Sequence, residues 1–305
     1  MDCFIGILID YNLFEYVLIQ KDGESLYPKR IKKINNINVY GNIVEEIKSF
    51  LKKEFDHIDQ KNIKGIGIFC LNLNISKENI LSLKKIFTII PVIICENIGL
   101  VKCFSINSFL RKSMLVLPSG KICAVNLDEN GEQSFFYLEK QINGFLEFDH
   151  INNMFFSDIP NNKINYKQID MECDNIPDGS KGLYYKINNS DERSFIGIKE
   201  YHNRGNFIKS VYETWALLLF NYIENNEFFS QLHDIEFTDE SFLLKNLLQT
   251  IANITGRNVV FRSTDLAVGA AINAGVVLNE IKIEQVLVKI NREKLFKPAR
   301  YIQKL

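Results

Sequence analysis

The chain opens on a near-continuous apolar run, CFIGILI (3–9), and ends its regular patterning on TDLAVGAAINAG (264–275), where small residues replace the Phe, Ile, Leu and Tyr found elsewhere. Short apolar runs bounded by turn residues suit strands, and apolar positions spaced by three and four suit helices. On that rule CFIGILI, EYVLIQ (15–20) and SLYPKRI (25–31) form a meander turning at Asp22-Gly23. A helix follows over 41–55, with Ile43, Val44, Ile47, Phe50, Leu51 and Phe55 on one face. IKGIGIFC (63–70) is a buried strand, 76–87 a helix started by Ser76, PVIIC (91–95) a strand and 97–104 a short helix.

The same order returns. SMLVLP (113–118), KICAVNL (121–127) and QSFFYLE (133–139) make a second meander. A polar stretch at about 149–206 interrupts, and a long helix occupies 205–226. HDIEF (233–237), a helix over 241–256 ending at Gly256, NVVF (258–261) and a small-residue helix over 266–279 complete the series. Two passes of βββαβαβα amount to a diverged internal duplication. Glycine costs a helix interior about 1 kcal/mol against alanine, so Gly269 and Gly275 imply that a backbone or a ligand comes close to the last helix.

Composition narrows the class. The chain has 305 residues, 46% hydrophobic and 24% charged, with a formal net charge of -1. That suits two globular domains with real cores and argues against a nucleic-acid or anionic-membrane partner. The apolar runs fall well short of the ~20 residues that span a bilayer, and the N-terminus has no signal-peptide pattern, so the sequence reads as cytoplasmic. Its six cysteines are scattered without zinc spacing and read as reduced, buried hydrophobes. DGSKG (178–182) lacks the Walker pattern and reads as a turn.

Duplicated βββαβαβα resembles the actin/hexokinase/Hsp70 superfamily. This resemblance implies an α/β fold of two actin-like (ribonuclease H-like) domains facing across a nucleotide cleft, over residues 1–110 and 111–305. Residues 200–305 resemble the C-terminal domain of the FGGY carbohydrate kinases through Glu213 in VYETWALLL, Gln249, Ala252, Asn253, Gly256 and Val259, then Gly269, Ala270, Ala271 and Ala274. The family's large sugar-site insertion between 70 and 91 is missing. The last helix is expected on the second domain's sheet, close to the nucleotide turn.

Phosphoryl transfer needs backbone N–H groups around the phosphates, a metal-holding carboxylate and a base. For the first phosphate turn the resemblance offers Asp10, as a phosphate or Mg²⁺ contact, without the expected glycine, and IDYNLFE reads otherwise as an ordinary hairpin turn. The second meander offers Ser119, Gly120 and Lys121, which read equally as a phosphate turn and as a plain β-turn. Glu96 stands where the resemblance expects the catalytic base, and helix-dipole logic alone also places an acid there. Gly269 is a further position for nucleotide approach. The family's adenine turn falls on Asp239, Glu240 and Ser241, whose carboxylates and Cβ atoms disfavour a purine and phosphate, whereas TDES suits a helix start capped by Thr238 or Asp239.

The function expected is a degenerate carbohydrate-kinase-like protein of weak or no activity, kept as a scaffold for a sugar, a polyol or a protein partner. An active minimal ATP-dependent sugar or polyol kinase using Mg-ATP, and a structural subunit in a homo- or heterodimer with an intact kinase, remain open beside it.

Overall fold

In the computed structural model, the described residues are 2–10, 13–22, 30–33, 62–70, 85, 90–106, 112–117, 120–127, 135–155, 166–187, 192–238, 243–282, 286 and 293–299. The helices expected at 41–55 and 76–87 lie outside them, apart from Lys85. The chain divides into two compact units. One comprises 1–110, 125–137 and 264–290, the other 111–124, 138–263 and 291–305. The second thus lacks 264–290, which the expected division had kept within 111–305.

In the first unit, β1 (Cys3–Asp10), β2 (Leu13–Gln20), β3 (Arg30–Lys33), β4 (Ile63–Cys70) and β5 (Val92–Cys95) form a sheet ordered β3-β2-β1-β4-β5. The β1–β2 and β2–β3 pairs are antiparallel, whereas β1–β4 and β4–β5 are parallel, as a meander followed by crossovers requires. Helix α1 spans Ile98–Ile106.

The second unit contains β6 (Ser113–Val116), β7 (Lys121–Leu127) and β8 (Phe135–Gln141) of the second meander; β7 and β8 run partly into first-unit segments. The polar stretch carries structure of its own: α2 (Phe148–Phe155), α3 (Tyr166–Met171), a 3₁₀ turn (Ser180–Gly182) and a ribbon of β9 (Tyr184–Ile187) and β10 (Arg193–Ile196). Then come α4 (Arg204–Glu224), α5 (Glu227–Ser230), β11 (Asp234–Phe237), α6 (Lys245–Thr255) and β12 (Asn258–Arg262). The remaining elements are α7 (Leu266–Val277) of the first unit and β13 (Glu293–Phe296). The second sheet is ordered β13-β12-β11-β6-β7-β8. Its core gathers Met114, Val116, Ile235, Phe237, Val259 and Phe261 with Tyr212 and Trp215 of α4 and Leu247, Leu248 and Ile251 of α6. Strand β13 was not expected; it pairs antiparallel with β12, and Arg262 pairs with buried Glu236 of β11 and with Glu293 of β13.

The small-residue helix corrects the sequence reading. Helix α7 packs on β1, β4, β2 and β5 and against α1, all in the first unit, where the sequence reading had expected the second domain's sheet. Gly6 of β1 and Gly67 of β4 face each other in register, and the helix backbone lies directly over them. A Cβ on Gly6 would stand 1.8 Å from the Ala267 carbonyl oxygen, and one on Gly67 1.9 Å from that of Ala270. Gly269 answers on the other side, where a Cβ would stand 2.1 Å from the Val101 carbonyl oxygen of α1. Backbone therefore approaches backbone on two faces of one helix, which only residues with little or no side chain permit. Asp265 caps the helix, accepting from the N–H groups of Ala267 at 3.1 Å and Val268 at 3.2 Å.

A Gly67→Ala substitution must move the helix or the strand, and is expected to cost about 3 kcal/mol, at the upper end for overpacking a core. Urea unfolding measures it; a loss below about 0.5 kcal/mol would contradict this packing account.

Candidate functional site

In the first unit, Asp10 ends β1 in register with Leu13 of β2, and Tyr11 and Asn12, which come between them in sequence, lie outside the described residues; neither is glycine. The Asp10 side chain lies outside the described residues. Glu96 is exposed between β5 and α1. The next residue does the local structural work: Asn97 Oδ1 accepts from the Leu100 N–H at 3.0 Å and from the Tyr137 hydroxyl at 3.0 Å. Asn97 is thus the helix cap, a role its position just before an apolar helical run makes legible. Beneath the same helix–strand layer, Asn273 donates to Cys95 Sγ at 3.0 Å, and burial pushes the Cys95 thiol up to about 11.

In the second unit, Gly120 and Lys121 sit on the β6–β7 turn, with Ser119 outside the described residues. The Gly120 N–H donates to the Leu117 carbonyl at 3.0 Å, and Leu117 N–H donates to Lys121 at 2.8 Å. Gly120 has φ +73°, and a Cβ there would stand 2.2 Å from the Phe145 carbonyl oxygen. Turn geometry and its own chain therefore account for this glycine. The Lys121 ammonium lies 2.8 Å from Glu139, which raises its pKa.

Asp239, Glu240 and Ser241 lie outside the described residues. The helix that follows starts later than expected, and its cap corrects the sequence reading. Helix α6 begins after Leu244, whose side chain supplies no cap bond. The cap comes from Asp170 of α3, whose Oδ2 accepts from the Asn246 N–H at 3.0 Å and Oδ1 from the Leu247 N–H at 3.2 Å. Buried Asp170 supplies the negative charge that the positive end of the helix favours. Burial raises its pKa, against the opposing pull of these N–H bonds. Nothing near TDES announced this cap, because the accepting carboxylate lies 76 residues before Asn246.

A polar network continues from α6. Lys209 is buried on α4, donating to Thr250 Oγ1 at 2.7 Å and meeting Asp178 at 3.0 Å. Gln249 and Asn253 hold the chain at 297–299: Gln249 donates to the Lys297 carbonyl at 2.7 Å, and Ala299 N–H donates to Asn253 at 3.0 Å. Glu213 accepts from the Gly179 N–H at 2.7 Å and the Ser180 hydroxyl at 2.8 Å, while burial raises its pKa. Among the described residues no group of three or more His, Cys, Asp or Glu side chains gathers to hold a metal. Nor is any described helix long and apolar enough to cross a membrane.

Solved structures share this architecture. A ligand-bound xylulose kinase from Lactobacillus acidophilus aligns over 98% of this chain and 94% of its own, at 12% identity and TM-score 0.60. A xylulose kinase from Rhodospirillum rubrum aligns over the same shares at 9% identity and TM-score 0.63, and Plasmodium falciparum glycerol kinase with ADP at 11% and 0.56. The fold is that of the carbohydrate kinases. No family model and no curated protein matches the sequence. At these identities the likeness establishes the actin-like α/β fold and leaves activity to be argued from the residues.

Substituting Asp170 tests the cap. Asp170→Ala should cost about 1–2 kcal/mol in chemical denaturation, because two helix N–H groups lose their acceptor. The pH dependence has a definite sign. The folded pKa lies above the ordinary 3.8, so in the interval between the two the folded state holds a proton that the unfolded state has released. Asp170 therefore favours folding most at low pH, and that contribution falls as pH rises through the folded pKa. The stability of wild type relative to Asp170→Asn should accordingly fall as pH rises across that interval; the opposite slope would mean that the helix N–H bonds outweigh burial at this carboxyl.

Proposed function

We propose that this chain is a carbohydrate-kinase-like scaffold with weak or no phosphotransfer activity, used to bind a small sugar or polyol or a protein partner. The observation that carries this reading is the Asp170 carboxylate on the first N–H groups of α6. The resemblance sets the nucleotide at the turn just before that helix, and a fixed carboxylate there opposes the approach of a phosphate. The other described candidates support the same reading. Gly120 is taken up by its turn and by Phe145, Lys121 by Glu139, and Gly269 by Val101.

One observation favours the second reading, an active minimal kinase that uses Mg-ATP. Glu96 remains exposed at the carboxyl end of β5, beside a helix start already capped by Asn97, so its carboxylate is not consumed as the cap. A base at the end of a strand is well placed to take a proton from an acceptor hydroxyl.

Titration calorimetry with Mg-ATP, alone and with a panel of pentoses, gluconate and glycerol, separates the two. The expected outcome is no nucleotide binding up to about 1 mM, against the micromolar-to-millimolar range usual for enzyme substrates. Micromolar binding with turnover that Glu96→Gln abolishes would overturn the proposal in favour of the active kinase.

A further inference from the structure

Asn253 of α6 is 8% exposed, and both ends of its side-chain amide are engaged. Its Oδ1 accepts from Gln249 Nε2 at 2.9 Å and from the Ala299 N–H at 3.0 Å, while Nδ2 donates to Asp178 Oδ2 at 3.4 Å. Gln249 Nε2 also donates to the Lys297 carbonyl at 2.7 Å. One buried amide thus joins two segments far apart in the chain, residues 297–299 after β13 and the turn that precedes β9. Neither segment contains a candidate phosphate or sugar contact.

That turn is strained. Gly179, Ser180, Lys181 and Gly182 all have positive φ, at 81°, 46°, 55° and 82°. Two of these are not glycine, an arrangement that costs of order 1 kcal/mol each and persists only where neighbours enforce it. Glu213 of α4 accepts from the Gly179 N–H and the Ser180 hydroxyl. The Tyr201 hydroxyl and His202 Nε2 lie 3.5 Å and 3.3 Å from the Lys181 carbonyl oxygen. Within the turn the Gly182 N–H donates to the Gly179 carbonyl at 2.7 Å, and the Leu183 N–H to that of Ser180 at 3.3 Å. A segment that gains by leaving such a conformation changes state when a hold is removed.

The remaining hold comes from α6. Asp178 is exposed, yet each of its carboxylate oxygens is tied to that helix. Oδ1 lies 3.0 Å from the ammonium of Lys209, which is buried on α4 and donates to Thr250 Oγ1 of α6 at 2.7 Å. Oδ2 takes the Asn253 amide. Asp178 immediately precedes Gly179, so its place fixes the entry to the strained turn.

We propose that Asn253 is a latch through which residues 297–299 control the 178–182 turn. An ionised carboxylate only accepts, whereas the Gln249 amide N–H and the Ala299 N–H donate. Together these partners fix the Asn253 amide with Oδ1 toward 297–299 and Nδ2 toward Asp178. When 297–299 is drawn away, Oδ1 loses a donor, the amide is free to rotate, and Asp178 keeps only Lys209. The strained turn then relaxes toward ordinary φ, and β9, which starts at Tyr184, loses its fixed entry. Such coupling is reciprocal, so disturbing Asp178 loosens 297–299 in return. A ligand or partner that captures 297–299 thereby alters the β9–β10 ribbon without touching it.

Hydrogen exchange of the full chain, read at the Gly182 and Leu183 amides, tests the latch. Each rate is taken relative to β11, so that a general loss of stability does not count as support. Ala299→Pro removes the N–H that Oδ1 accepts and should speed exchange in the turn at least about threefold, the effect of losing one net hydrogen bond. Asn253→Asp keeps the acceptor for Ala299 but removes the donor to Asp178. It should speed the turn by a similar factor while leaving the Ala299 amide as protected as in wild type. Asp178→Ala should in return speed exchange of the Ala299 amide. Turn amides that keep the wild-type rate in either Ala299→Pro or Asn253→Asp overturn the proposal, as does an Ala299 amide that Asp178→Ala leaves unchanged.

Discussion

The first unit depends on one contact, the laying of the α7 backbone across a pair of strand glycines. Carbonyl oxygens of Ala267 and Ala270 sit where side chains would project from Gly6 and Gly67. Close approach brings the helix within dispersion range of both strands along its length, at the entropic cost that glycine carries in strands. The helix then has no room for large residues on the sheet side or on the α1 side, and Ala271 beside Gly6 follows; Gly275 makes room instead for the Ile281 side chain. Its burial is nearly complete, with every residue from Ala267 to Val276 removed from solvent. The stretch from 264 is thus the last piece of the first unit, reached only after β12 has been built in the second.

In the second unit the corresponding constraint is polar. Two helices, α4 and α6, bury their apolar faces in one core, and their polar residues must then be matched across the unit. Lys209 finds Asp178 and Thr250, Glu213 finds the 179–180 turn, and Asp170 finds the start of α6. Asp170, Asp178 and the 179–180 turn come from the polar stretch that interrupts the repeat. That stretch is therefore part of how the unit satisfies its buried groups, rather than a linker between halves. The same accounting bears on function, because a scaffold that spends its helix-terminus N–H groups on its own carboxylate has fewer to offer a phosphate.

Much of the frame was legible in the chain. Continuous apolar runs marked β1 and β4, a glycine marked the end of α6, and the repeated element order carried the kinase-like fold. The ribbon, α2, α3 and β13 were not legible. In α2, Phe148, Ile151 and Phe155 do keep helical spacing, but within a polar stretch where no element was expected; the others are short and are held by partners elsewhere in the chain, such as Phe207 for Phe195 and Arg262 for Glu293. At the candidate site the sequence pointed to Glu96 and Gly120, and the structure added Asn97 and Asp170, which cap the helix starts. Asn97 could be read from its place before a helix, whereas Asp170 could not, since its helix lies far along the chain.

By itself the sequence determined the α/β class, the duplicated order and the need for something to come close to the small-residue helix. Local periodicity and residue size set those features, and both are visible within windows of a dozen residues. Only the tertiary structure decided what comes close: two strands and a helix of the first unit, where the sequence reading had expected the second sheet. It also decided that Asp170 answers the α6 N-terminus and the Ile142 N–H the Gly120 carbonyl. Those choices are contacts between residues far apart in sequence, fixed by which backbone groups a packed core leaves without water and must pair from within.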